Sequence, residues 1–210
     1  MAKRKRDAEA TKEKIIQNAM LLFAQKGYDA TTTDDIAKES DINKAMIYYY
    51  YKNKSGLYSA VMSHVLDAIY KEIVNKESEE NAPLRALELF IKTYAVHCEK
   101  NPYLPALLLR ELSDSGAHLP QEMFSNMRQL FGLLSSILNR GIKQNIFHNV
   151  EPMIIHFMIV GTINLLITTK PLREKAVELQ DELNTCSECS TEKISEYIYE
   201  KIKLMLEVQQ

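Results

Sequence analysis

Apolar residues recur every three or four positions along most of this chain, a spacing that predicts helices rather than strands. Ile15, Ile16, Ala19, Met20, Leu22 and Phe23 form the first stripe and set a helix over residues 11–26. Gly27 stops it, because glycine accepts the left-handed conformation that closes a helix. Thr32 followed three residues later by Asp35 is a weaker form of the capping box, and Ile36 and Ala37 give the short helix behind it an apolar inner face. Ser40, Asp41 and Ile42 leave room only for a tight turn. Asn43 then caps a second short helix over about residues 44–50. Ile47 and Tyr51, four apart, face inward, which leaves Lys44, Ala45, Tyr48 and Tyr49 for another surface.

The same period continues downstream. Leu57, Tyr58, Val61, Met62, Val65, Leu66 and Ile69 predict a long helix over residues 54–76, followed by a polar break over 77–83. Further helices are expected over 84–100, 105–113, 121–144, 153–169 and 191–208, about nine in all. The fold class is therefore all-α. Phe124, Met127, Leu130, Phe131, Leu134, Ile137 and Leu138 form the inner face over 121–144. Ile194, Tyr197, Ile198, Ile202, Met205 and Leu206 form a stripe over 191–208. The segment 153–169 is hydrophobic nearly all round, so it is expected to be buried on every side, one side against its own domain and the other against a second copy. His156, Thr162 and Asn164 interrupt it, and it is too short for a membrane span of about 20 residues.

Two short helices joined by a three- or four-residue turn make a helix-turn-helix, whose second helix fits a DNA major groove. Around it stand Leu22-Phe23, Gly27-Tyr28, Thr31-Thr32, Ile36-Ala37, Asp41-Ile42-Asn43, Tyr48, Tyr51, and Lys54 with Leu57. This combination resembles the DNA-binding end of TetR-family transcriptional regulators over about fifty residues without a gap. The rest of the chain matches that family only in length and helical character. The resemblance implies an N-terminal three-helix DNA-binding domain over 1–53 and a helical effector-binding and dimerisation domain over 54–210. It also implies coupling of ligand binding to DNA release through the helix that begins at Lys54.

The chain departs from the family pattern in the turn and on the second helix. Asp41 stands where the family usually has glycine, and aspartate tolerates positive φ better than most residues. Ala45 and Met46 replace a common Gly-Thr, which removes one hydroxyl for phosphate, and Tyr51 replaces a phenylalanine. These changes touch the operator sequence, not the fold. The residues expected at DNA are Thr32, Asn43, Lys44, Ala45, Met46, Tyr48, Tyr49 and Lys54. Asn43, Lys44, Tyr49 and Lys54 are assigned to phosphates, and Lys44, Ala45, Met46 and Tyr48 to base edges. Lys54 opens its helix, so its ammonium and the free N–H groups there form an anion site. Tyr50 is left undecided.

Charge changes the picture slightly. Residues 1–60 hold 11 Lys and Arg against 8 Asp and Glu, while the remainder holds 15 against 20, so a net of −2 divides into +3 and −5. A mildly basic head on an acidic body suits a module that touches phosphates at one end. The first ten residues carry Lys3, Arg4, Lys5 and Arg6. They read either as an arm that reaches DNA or as a solvated terminus. No apolar run follows that basic stretch, so no signal peptide is expected, and a cytoplasmic location is the default.

Candidate chemistry beyond DNA is sparse. Tyr94, His97, Tyr103, Arg110, His156 and Asn164 are polar residues on apolar helices, and Met127 and Phe131 could supply adaptable walls to a small-molecule pocket. The plain alternative is that these are core residues with satisfied side chains. Cys186 and Cys189 form a C-x-x-C in a polar stretch, a thiol switch or half a metal site at most, since only Cys98 remains as a further thiol. His97 and Cys98 are adjacent on a helix and point about 100° apart, so they form no dyad. No catalytic motif is present, and neither an enzyme nor a cofactor is expected. The reading that results is a homodimeric repressor of a palindromic operator. A small-molecule effector releases it, and the two copies join through the helices over 153–169 and 191–208, with no membrane partner. The competing reading is a dimeric small-molecule or partner-binding protein whose helix-turn-helix no longer reads operators.

Overall fold

The computed structural model describes residues 2–77, 82–178 and 190–208, and these residues form ten helices. In order they are α1 (Ala2–Lys26), α2 (Thr33–Glu39), α3 (Lys44–Tyr51), α4 (Lys54–Lys76), α5 (Pro83–Lys100), α6 (Tyr103–Ser113), α7 (Gln121–Lys143), α8 (Pro152–Thr168), α9 (Lys170–Glu178) and α10 (Thr191–Leu206). No single helix among them is long and apolar enough to cross a membrane. The protein is all-α, with an N-terminal helix-turn-helix and a larger helical part. Two of the expected elements need correction. Residues 2–10 form the first turns of α1, so the helix begins at Ala2 rather than at residue 11. Alanine, lysine, arginine and glutamate all favour helix, and that preference continues the helix upstream of the apolar stripe. Helix α9 was not expected, because its sequence KPLREKAVE carries almost no apolar stripe.

The chain divides into two compact units, Met1–Asp67 with Ala106–Asn126, and Ala68–Pro105 with Met127–Gln210. The first unit is built on α1, α2 and α3. Ile15, Ala19, Met20 and Phe23 of α1 are fully buried with Ile36 of α2, Ile47 of α3 and Leu57 of α4. Polar pins hold the connecting segments. The buried Thr31 hydroxyl lies 2.7 Å from the Gly27 carbonyl and 3.2 Å from that of Leu22, which ties the α1–α2 loop to the end of α1. Asn18 donates to Ser40 Oγ at 3.2 Å and so holds the next turn. Gly27 sits at φ 85°, and a side chain there would press on the Arg110 guanidinium at 3.1 Å. Arg110 in turn donates to the Ala24 carbonyl at 3.3 Å, one of the last carbonyls of α1.

The second unit is built on α5, which packs against α8 and α10. Its buried side chains include Leu87, Phe90 and Ile91 of α5, Leu134, Ile137 and Leu138 of α7, and Ile159 of α8. The end of α10 is fastened to the segment after α7 by His148 N–H to Leu206 carbonyl at 2.8 Å and Val208 N–H to Ile146 carbonyl at 3.0 Å. The expected apolar faces are only partly buried within one chain. On α7 Met123, Leu130, Leu134, Ile137 and Leu138 are buried, whereas Phe124 is 55% exposed. On α10 Ile198, Ile202 and Leu206 point inward, while Tyr197 and Met205 point out. Within one chain α8 buries Ile155, Ile159, Ile163 and Asn164 but exposes Ile154, Phe157 and Leu165.

Candidate nucleic-acid interface

Local chemistry shapes the helix-turn-helix. Thr32 Oγ1 accepts from the Asp35 N–H at 3.1 Å, and the Asp35 carboxylate accepts from the Thr32 N–H at 3.2 Å and from its hydroxyl at 2.9 Å. That reciprocal box starts α2 and holds the part-exposed Asp35 carboxyl below its ordinary pKa, chiefly through the Thr32 side-chain hydrogen bond. The turn closes through Ser40 N–H to Ile36 carbonyl at 2.9 Å and Ile42 N–H to Ala37 carbonyl at 3.0 Å. Asp41 sits between them at φ 50°, as the sequence required of a residue in glycine's place. Asn43 Oδ1 then accepts from the Ala45 N–H at 2.8 Å and starts α3.

One face of α3 is committed inward and the other is turned outward. Ile47 is fully buried, and Tyr51 is half-buried with its hydroxyl donating to the Lys12 carbonyl at 3.3 Å. Burial first, then the nearby Glu13 and Glu9 carboxylates, push the Tyr51 phenol up to about 12. Tyr50, undecided from sequence, packs beside α1, with Lys12 Nζ 5.5 Å from its ring centroid. Tyr48 and Tyr49 remain 46% and 78% exposed, and Ala45 is exposed beside them. Lys44 does not extend freely, because its Nζ contacts Asp34 Oδ2 at 2.6 Å.

Lys54 is placed differently from the simple anion site expected at the start of α4. Its Nζ lies 4.3 Å from the Tyr28 ring centroid and donates to the Asp29 carbonyl at 3.2 Å. The Asn53 side chain accepts from the Gly56 N–H at 2.8 Å and supplies the first-turn cap. Thr32 is likewise engaged in its own box. Sequence reasoning missed Asp34, Asn53 and the Tyr28–Asp29 corner. Asn53 was legible as a good cap before Lys54, whereas Asp34 and Asp29 gain meaning only from the tertiary fold.

The residues singled out for a small-molecule pocket separate. Tyr94 and Asn164 meet inside the second unit, hydroxyl to amide oxygen at 3.0 Å, and burial raises the Tyr94 phenol. His97 pairs with Glu72 at 2.6 Å, and hydrogen bonds from Lys76 and His97 lower the Glu72 carboxyl. Phe131 meets His156 edge-on at 5.6 Å, and burial lowers the His156 pKa. Met127 and Tyr103 are 37% and 40% exposed. Arg110 lies in the first unit, where it is engaged at Gly27 and Ala24. Cys186 and Cys189 lie outside the described residues.

A capped helix-turn-helix with an exposed second helix defines a DNA-binding module of the kind used by transcription regulators. Residues 15–61 match the family described as bacterial regulatory proteins, tetR family, and residues 83–179 match the tetracyclin repressor-like C-terminal domain. The chain belongs to the TetR family. Its first part is 37% identical over 89 residues to the biofilm operon icaADBC HTH-type negative transcriptional regulator IcaR of Staphylococcus aureus, covering 42% of this chain and 48% of IcaR. The aligned part thus spans about half the length of the curated relatives it matches. Among solved structures, a TetR family transcription regulator from Marinobacter aquaeolei VT8 superposes with a TM-score of 0.73 at 17% identity, over 98% of this chain and 100% of that one. The transcriptional regulator FadR from Bacillus subtilis, solved in complex with stearoyl-CoA, gives 0.68 at 21% identity, over 92% and 98%. At these identities the likeness concerns the fold. Regulators of this family bind DNA operators and small-molecule effectors, generally as dimers, and are not enzymes.

Proposed function

We propose that this protein is a cytoplasmic, homodimeric transcriptional repressor that reads a palindromic operator and is released from it by a small-molecule effector. The observation that carries the reading is the exposed face of α3 on a helix-turn-helix capped at both starts. Asn43, Tyr49 and Lys54 serve phosphates, and Ala45, Met46 and Tyr48 face base edges, with Lys44 between the two sets. A single short helix reads too few bases for specificity, and a two-fold dimer supplies the second half-site. Exposed apolar residues on α8 and α10 support a pairing face, among them Ile154, Phe157 and Leu165 on α8 and Tyr197 and Leu204 on α10. Two helices from each copy would make a four-helix bundle. The effector domain is 54–210, and Tyr94, Asn164, Phe131 and His156 are its candidate ligand contacts. Repression accords with the negative regulator IcaR, and an apolar effector with the acyl-CoA bound to FadR.

Replacing Tyr48 and Lys54 together by alanine tests the interface. Operator affinity should fall roughly 100-fold or more, at about 1–3 kcal/mol for each lost contact. Sedimentation should show the dimer intact. Unchanged affinity would overturn the assignment of α3 as the reading helix.

A further inference from the structure

We propose that Asp34 and Thr33, in the first turn of α2, set operator specificity by holding Lys44 and Tyr48 on α3; this rests on the reading of α3 given above. Lys44 Nζ lies 2.6 Å from Asp34 Oδ2 and 5.9 Å from the centroid of the Tyr48 ring. The Tyr48 hydroxyl stands 3.4 Å from Thr33 Oγ1. Tyr48 is therefore held at two points, by the ammonium over its face and by the hydroxyl at its tip. Asp34 is 71% exposed and Lys44 40%, so the group stands at the surface that α3 presents.

An untethered lysine in the first turn of a reading helix finds a phosphate wherever the helix lands, because the backbone is the same at every sequence. A tethered one does not. To reach a phosphate, Lys44 must leave its carboxylate, and that carboxylate then faces the backbone without a counter-charge. The ion pair keeps Lys44 above Tyr48, so the two present one arrangement of donors to the base edges. Specificity is a difference of affinities, and a device that weakens sequence-independent binding widens the difference as well as one that strengthens the right contact. Asp34 acts on the first side and Thr33 on the second. Both are positioning residues, because each works through its partner on α3.

The test uses the full chain and two duplexes, the one recovered by selection with wild-type protein and a shuffled duplex of equal length and composition. Binding is measured across salt from about 50 to about 200 mM. Asp34→Asn keeps the side chain's size and removes its charge. It should bind the shuffled duplex roughly tenfold tighter, lower the selected-to-shuffled ratio by a similar factor, and steepen the salt slope by about one contact. In a Lys44→Met background the same change should leave the slope where it was. Thr33→Val should lower affinity for the selected duplex alone, without touching the slope. A melting temperature near wild type shows that each variant folds, and Asp34→Glu should restore part of the ratio. An unchanged ratio in Asp34→Asn overturns the proposal. So does a slope change that persists without Lys44, which would mean that the carboxylate merely repels the backbone. Wild-type protein that prefers no duplex would instead remove the assignment of α3 itself.

Discussion

The Tyr58 hydroxyl donates to the buried carboxylate of Glu111, joining α4 to the last turns of α6 inside the first compact unit. The same carboxylate accepts from the His118 N–H at 3.3 Å. The His118 ring lies 4.8 Å from that of Tyr28, next to the corner where Lys54 donates to the Asp29 carbonyl. A buried charge is tolerable only with such donors, and losing one exposes the penalty of burial.

Tyr58→Phe removes the main donor and leaves Glu111 with the His118 N–H at 3.3 Å and the His118 ring nitrogen 4.0 Å away. The unit should lose about 2 kcal/mol of stability, the size expected of a hydrogen bond to a buried charge. Urea unfolding at neutral pH measures it. A change below about 0.5 kcal/mol would mean that the carboxylate finds another partner.

The Thr32–Asp35 box makes a pH-dependent contribution. Asp35 titrates below its ordinary value of 3.8 in the folded protein, so its contribution is complete above that value and disappears as pH falls through the lower folded one. Thr32→Ala should cost about 1 kcal/mol at neutral pH. It should also make the protein less sensitive to acid, since the hydroxyl's hydrogen bond to the carboxylate is already gone and only the backbone N–H at position 32 still donates to it. The gap in stability between wild type and variant should narrow as pH falls from 7 to below the ordinary carboxylate range; a constant gap would show that the box is not proton-linked.

Helix α7 passes close to the segment that follows it. A Cβ at Gly141 would collide with the ring of Phe147, which is buried. Gly141→Ala should therefore destabilise the second unit by about 1–3 kcal/mol, although alanine is the better helix former. Restoration by a second change, Phe147→Leu, would attribute the loss to that contact. A stabilised Gly141→Ala would show that the ring moves aside.

Cys98 is buried, and desolvation pushes its thiol up to about 12. In a Cys186→Ser, Cys189→Ser protein, a thiol reagent at neutral pH should label nothing until the chain unfolds. Labelling at a rate independent of denaturant would place Cys98 at the surface.

The features legible in the sequence are those that depend on near neighbours. The caps at Thr32 and Asn43, the positive φ at Asp41 and the inward Ile47 each follow from one to four residues of context. The first turns of α1 were misread because four basic residues outweighed their helix-forming composition. Helix α9 escaped because nothing apolar marks its period. A helical period shows which face of Arg110's helix turns inward but not which compact unit receives it. Asp34 carried no signal, since its partner Lys44 is ten residues away across a turn. The outward sides of α8 and α10 look like core by composition alone.

Selection of bound sequences from a random duplex pool, at two salt concentrations, tests the central claim most directly. The account predicts one palindrome with half-sites about one helical turn apart, bound more weakly as salt rises. Recovery of no preferred sequence, with all binding lost at modest salt, would contradict it and leave only a basic surface on a helix-turn-helix that no longer reads DNA.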